Sequence, residues 1–147
     1  MAIALLFLVG AQVVAADGLI SMKSCFGPQE TMSRFEAEVR ARGMTVFAHI
    51  DHAAGRATAG LPLRPTDLLI FGNAKAGTPL MQSVQTIGID LPLKALVWQD
   101  DSGATWLSYN DPVWFAERHG LDMHANPIVG MMTAMLHDIA LKTATSS

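Results

Sequence analysis

His49, Asp51 and His52 form the densest cluster of titratable side chains in the sequence. In an extended chain successive side chains point to opposite faces, so His49 and Asp51 share a face while His52 falls past the strand end. A carboxylate beside an imidazole fixes its tautomer and stabilises the imidazolium, as a general acid–base pair requires. Asp51 and His52 are therefore candidates for proton transfer on a small anionic substrate, with Arg64 or Lys75 orienting it. The same trio supplies part of a zinc or copper site. Such a site needs a third or fourth ligand, and His119, His124 and His137 lie far apart in sequence. A surface histidine and a strand-ending Asp–His pair bonded to loop backbone is the simpler assignment, so no metal or other cofactor is expected.

A second candidate is the run GNAKAGT at residues 72–78. Glycines, Lys75, Thr78 and a following helix start all favour an anion, and Asn73 could add a hydrogen bond. The run is not a Walker A sequence, because Lys75 precedes Gly77-Thr78 and the four-residue spacer is missing. The plainer account is a tight loop in which Thr78 caps a helix opening at Pro79. The candidate ligand-binding set is thus Asp51, His52, Arg64, Asn73, Lys75 and Thr78, with no catalytic residue assigned. Cys25 has no base nearby in sequence and is not read as a nucleophile. Met131, Met132 and Met135 fall on neighbouring helical turns. An apolar packing stripe explains them better than thioether ligation of copper.

These groups depend on the elements that carry them. Residues 18–23 make a first strand. Gly27-Pro28 opens a helix whose Met32, Phe35 and Val39 share a face, with Glu36/Arg40 and Glu38/Arg42 as four-apart ion pairs and Gly43 as its end. Residues 44–51 alternate as a strand, with Met44, Val46, Ala48 and Ile50 on one side. Residues 52–65 read as a loop, and 67–72 as a strand buried on both faces. Residues 91–98 and 104–109, joined by QDDSG, form the best hairpin signal. Asp111-Pro112 and Asn126-Pro127 open two further helices, the last spanning about residues 126–142. Strands in the middle with helices outside them predict an α+β domain, a single antiparallel sheet covered by helices.

At 147 residues, with 50% hydrophobic and 16% charged side chains, the chain has the composition of one globular domain. The ten Lys and Arg are scattered and the net charge is −3, which argues against a nucleic-acid partner, since phosphate binding needs clustered cations. Residues 3–9 (IALLFLV) are too short to span a bilayer and lead to small residues before Asp17. Residues 1–16 are therefore expected to be a signal peptide, although no Lys or Arg precedes the apolar run. That leaves 17–147 as a periplasmic or secreted domain with no membrane span.

Four runs carry a resemblance: IDHAAG at 50–55, LRPTDLLIFGNAKAGTPLM at 63–81, DLPLKALVW at 90–98 and WLSYNDPVWFAERHGL at 106–121. Together they resemble the prokaryotic domain of unknown function 302, colinearly over about residues 18–121. The resemblance implies a β-α-β-sheet-α layout of the TATA-binding-protein class and association as a homodimer. It implies no activity. Residues beyond Leu121 lie outside it, so the Met-rich last helix is expected to be particular to this protein. The resulting expectation is an exported, non-catalytic homodimer that binds a small anionic ligand or a partner protein. The alternatives are an Asp51/His52 enzyme and a periplasmic metal-binding protein.

Overall fold

Apolar side chains recur at every second residue along the central strands, and this alternation places them on one face of a sheet. The computed structural model describes residues 11–146. Six strands, β1 (Val13–Ala16), β2 (Leu19–Ser24), β3 (Thr45–Asp51), β4 (Thr66–Gly72), β5 (Leu93–Gln99) and β6 (Thr105–Asn110), form one sheet in the order β1-β2-β6-β5-β4-β3. Every neighbouring pair is antiparallel. The helices are α1 (Pro28–Ala41), a single turn α2 (Arg56–Ala59), α3 (Ala74–Ser83), α4 (Pro112–Arg118) and α5 (Ile128–Ala144), with a 3-10 turn at Gln85–Ile89. This is the α+β architecture the sequence predicts.

Met22, Leu107, Val97, Leu69, Phe71, Leu93 and Ala95 project from the strands into the core. There they meet Met32, Phe35 and Val39 of α1 and Val129, Leu136 and Ile139 of α5. Phe35 stands edge-on to Phe71, with ring centroids 5.3 Å apart and planes at 75°, the favoured geometry for two ring quadrupoles. Arg34 joins α1 to α5: its guanidinium donates to the carbonyls of Lys142, Thr143 and Thr145. A cation there satisfies carbonyls that the helix end leaves without partners and suits the negative end of its dipole. The opposite sheet face carries Val14, Ser21, Ser108, Leu96, Leu68 and Ile50 in one row across all six strands. The stacked Trp98 and Trp106 lie beside that row.

Two sequence expectations change, the face pattern of β3 and the start of α3. Val13–Ala16, inside the expected leader, pairs with β2 as an edge strand, while residues 3–9 lie outside the described residues. The hairpin is closed by Asp17-Gly18, both at positive φ (49° and 80°), as a two-residue turn matching strand twist requires. In β3, Val46 faces Phe71 but Ala48 faces Ile70, so Phe47 is an extra, bulged residue. The bulge turns Ala48 and Ile50 away from the face that Val46 occupies. Finally, α3 begins at Ala74 rather than Pro79. Asn73 is its cap, accepting from the Lys75 N–H at 2.9 Å, and Thr78 and Pro79 lie inside it. An Asn cap satisfies an otherwise unpaired first-turn donor, which lets the helix start five residues before the proline.

At Gly18 a Cβ would sit 2.0 Å from Trp114 Cγ. Gly18→Ala should destabilise the full chain by about 2–4 kcal/mol, seen as a lower urea midpoint, because strain at positive φ adds to overpacking. In the β5–β6 turn, Asp100 accepts from Trp106 Nε1, the Ser102 N–H and Oγ, and the Ala104 N–H. These donors, the Trp106 indole foremost, lower its pKa from 3.8 to about 2. The ionised carboxylate therefore stabilises the fold fully above about 3.8, and that contribution disappears as pH falls through about 2. Denaturant titrations across this window should show a flatter pH dependence for Asp100→Asn than for the native chain.

Candidate functional site

A recess opens where β4 ends and the chain turns into α3. Its floor is the β3–β4–β5 end of the sheet, with Met44, the bulged Phe47, Gly72 and Leu93. One wall is α3, through Ala74, Gly77, Thr78 and Met81, and the other is α5, through Ile128, Met131, Met132 and Met135. The volume is about 520 Å³. The bulge places Phe47 near Gly72, where a Cβ would lie 3.8 Å from the Phe47 ring. α3 buries only Leu80, and Pro79 within it provides no N–H for the Lys75 carbonyl. That wall is consequently held by few buried contacts, the usual condition for local adjustability.

Polar groups at the recess are few: Arg42, Asn73 and Thr78. Arg42 already has two carboxylates. It donates through Nη2 to Asp138 Oδ2, and its Nε lies 3.9 Å from Glu38 Oε2. The Arg42 hydrogen bond is the foremost reason that the Asp138 carboxyl is held below its ordinary range. Five methionines, Met44, Met81, Met131, Met132 and Met135, line the recess, and two of its apolar side chains are well exposed, Met131 at 69% and Phe47 at 55%.

The sequence-predicted site residues do not converge. Asn73 and Thr78 reach the recess, but Lys75 is exposed on the first turn of α3 and outside its lining. Arg64 lies at a separate, smaller recess with Pro62, Leu63 and Trp98, its Nε donating to the Gln99 carbonyl at 3.1 Å. Asp51 and His52 are exposed at the end of β3. Asp51 Oδ1 accepts from the Ala54 N–H at 2.9 Å, and the His52 N–H donates to the Thr66 carbonyl. No side-chain hydrogen bond joins Asp51 to His52 among the described residues. His49 instead has Asp67 across the strand pair, with Nε2 3.6 Å from Oδ2. Spacing along one strand cannot reveal that neighbour, because register sets it. Tyr109 is buried, which together with Asp111 pushes its phenol up to about 12. It stays neutral near pH 7. Among the described residues, no three His, Cys, Asp or Glu side chains gather as a metal site.

The sequence profile described as Domain of unknown function DUF302 matches residues 20–139. The chain belongs to this family. The match includes most of α5, which corrects the expectation that the last helix is particular to this protein: the DUF302 pattern runs well past Leu121. The crystal structure of an uncharacterized conserved DUF302 protein from Bacillus stearothermophilus superposes with a TM-score of 0.77 at 19% identity. It covers 87% of this chain and 99% of that one, a likeness of fold. Curated relatives from Brucella suis and Brucella abortus, both named Fluoride-specific ion channel FluC 1, are 47% identical over 116 residues. That alignment takes in 79% of this DUF302 chain but only 46% and 43% of those proteins, so the chain spans less than half their length. No helix among the described residues is long and apolar enough to cross a membrane.

Proposed function

We propose that this DUF302 chain is an exported, homodimeric binding domain that takes a small, mostly apolar molecule between α3 and α5. The observation carrying this reading is the recess of about 520 Å³ with its thioether-rich lining. Small-molecule sites typically enclose roughly 300–1,000 Å³ and pair apolar walls with a few orienting polar groups. Asn73 and Thr78 fit the orienting role, and methionine adapts its unbranched side chain to irregular apolar shapes. The anionic ligand expected from Lys75 and Arg64 has less support, since neither lines the recess and Arg42 is already paired.

Gly77 provides the test. A Cβ there meets only ordinary contacts, 3.7 Å from Leu91 Cδ1 and 3.9 Å from Met81 Cε. Gly77→Leu should therefore fold at least as well as the native chain, leucine being the better helix former by roughly 0.7 kcal/mol, while filling the recess. Nile red should bind the native protein with blue-shifted emission and bind the variant about tenfold more weakly, a difference of about 1.4 kcal/mol. Equal binding to both would place the dye elsewhere and remove the support for this reading.

Dimerisation is supported by the sheet face that no helix among the described residues covers, where Val14, Leu19 and Ile50 are exposed, and by what the family resemblance implies. Export is supported by the apolar run at residues 3–9 and its small-residue exit. Cleavage before Asp17 is compatible with the fold, because β1 pairs only with β2 and its four residues are exposed. The remaining five strands stay continuous. Fluoride conduction, named for the Brucella relatives, is assigned in this reading to the part of those proteins that this chain does not span. Native mass spectrometry of protein recovered from its host should report a dimer of chains beginning at Asp17. A monomer retaining residues 1–16 would contradict both proposals.

A further inference from the structure

His119 ends α4, and Asp90 closes the 3-10 turn Gln85–Ile89. The two side chains meet with His119 Nε2 2.6 Å from Asp90 Oδ2, while His119 Nδ1 lies 2.9 Å from Thr86 Oγ1. An ionised carboxylate can only accept, so the ring proton of a neutral His119 sits on Nε2. Nδ1 then presents its lone pair to the Thr86 hydroxyl. Asp90 is itself fixed by Arg118, whose Nη1 donates to Oδ1 at 3.1 Å and Oδ2 at 3.2 Å. The Arg118 guanidinium in turn lies over the Trp114 ring, 5.7 Å from its centroid. The side chains of His119 and Asp90 are 9% and 10% exposed, whereas Thr86 is on the surface.

We propose that Thr86, His119 and Asp90 form a nucleophilic site for acyl transfer from an ester. A hydroxyl within hydrogen-bond reach of a base, with the base oriented by a third group, is the geometry of an activated oxygen nucleophile. Here the three groups run from surface to interior in that order. Thr86 Oγ1 attacks the ester carbonyl carbon and its proton passes to His119 Nδ1. The bond from carbonyl carbon to the alcohol oxygen breaks, and the alcohol leaves with the proton from Nδ1. Water, deprotonated by the same nitrogen, then cleaves the acyl–Thr86 ester, returning the Thr86 hydroxyl and releasing the carboxylic acid. Asp90 keeps its charge throughout, holding the ring and stabilising the transient imidazolium. The site is separate from the α3–α5 recess: none of the three residues lines it.

The full chain incubated with p-nitrophenyl acetate tests this. The native protein should release p-nitrophenolate faster than buffer, and acid-quenched samples should carry an acetyl group on the peptide containing Thr86. Thr86→Val preserves side-chain shape at an exposed position and should abolish both signals, while Thr86→Ser should retain both. His119→Gln should slow release by about 10²–10⁴-fold, the usual contribution of a positioned base. Circular dichroism confirms that each variant is folded, and Thr86→Ala replaces the valine variant if that one is not. Release at the native rate without the Thr86 hydroxyl, no acetyl group on Thr86, or a native rate equal to that of buffer would overturn the proposal.

Discussion

The edge-to-face contact of Phe35 with Phe71 lies at the junction on which the rest of the molecule depends. It is where α1 is pressed onto the β3–β6 part of the sheet, and both rings are fully buried. Burying a side chain of this size contributes roughly 1.5–3 kcal/mol, and the neighbours Leu69, Leu93, Val97 and Leu107 extend the same face. A sheet with one face committed to helices leaves its other face open. Here that face combines Leu68, Ile70 and Leu96 with Ser21, Ser108 and a tryptophan pair whose Trp98 donates to Ser108. The mixture is more polar than a core and more apolar than an ordinary solvated surface.

The same commitment shapes the recess. Phe71 and Gly72 end β4, and Asn73 immediately caps the start of α3. Because α3 leaves the sheet at that point and buries only Leu80, it stands away from α5 instead of packing tightly on it. The bulge at Phe47 directs an aromatic side chain to the gap. Methionines from three segments, Met44, Met81 and the α5 group, complete the lining. The site is thus a consequence of where helix cover stops, and its apolar character follows from the core it borders.

Charge is distributed in a complementary way. Arg34 is used to cap α5, Arg42 to link α1 to Asp138 of α5, and Arg118 to hold Asp90. Each of these cations has a structural partner between elements. The expected anion site around Lys75 rested on a loop at residues 73–77, which is the first turn of a helix capped by Asn73. Once that turn is helical, its glycine and alanine residues form a wall of the recess and Lys75 points its exposed position away from the lining.

The period-2 strands, the β5–β6 hairpin, the Pro-opened and Gly-closed helices and the buried stripe of α1 are all legible in the linear chain. Each of those signals is local, set by backbone geometry within a few residues. The linear chain also held the Asp17-Gly18 turn, a short-range signal masked by the competing leader assignment at the same residues. The start of α3 was misread because Pro79 is a stronger punctuation mark than an Asn cap six residues earlier. Strand register and helix docking set the bulge at Phe47, the 3.6 Å approach of His49 to Asp67, and the meeting of Thr86, Asp90 and His119. These partners are separated by long stretches of chain and are brought together by strand register and helix docking. No spacing rule along one segment carries that information.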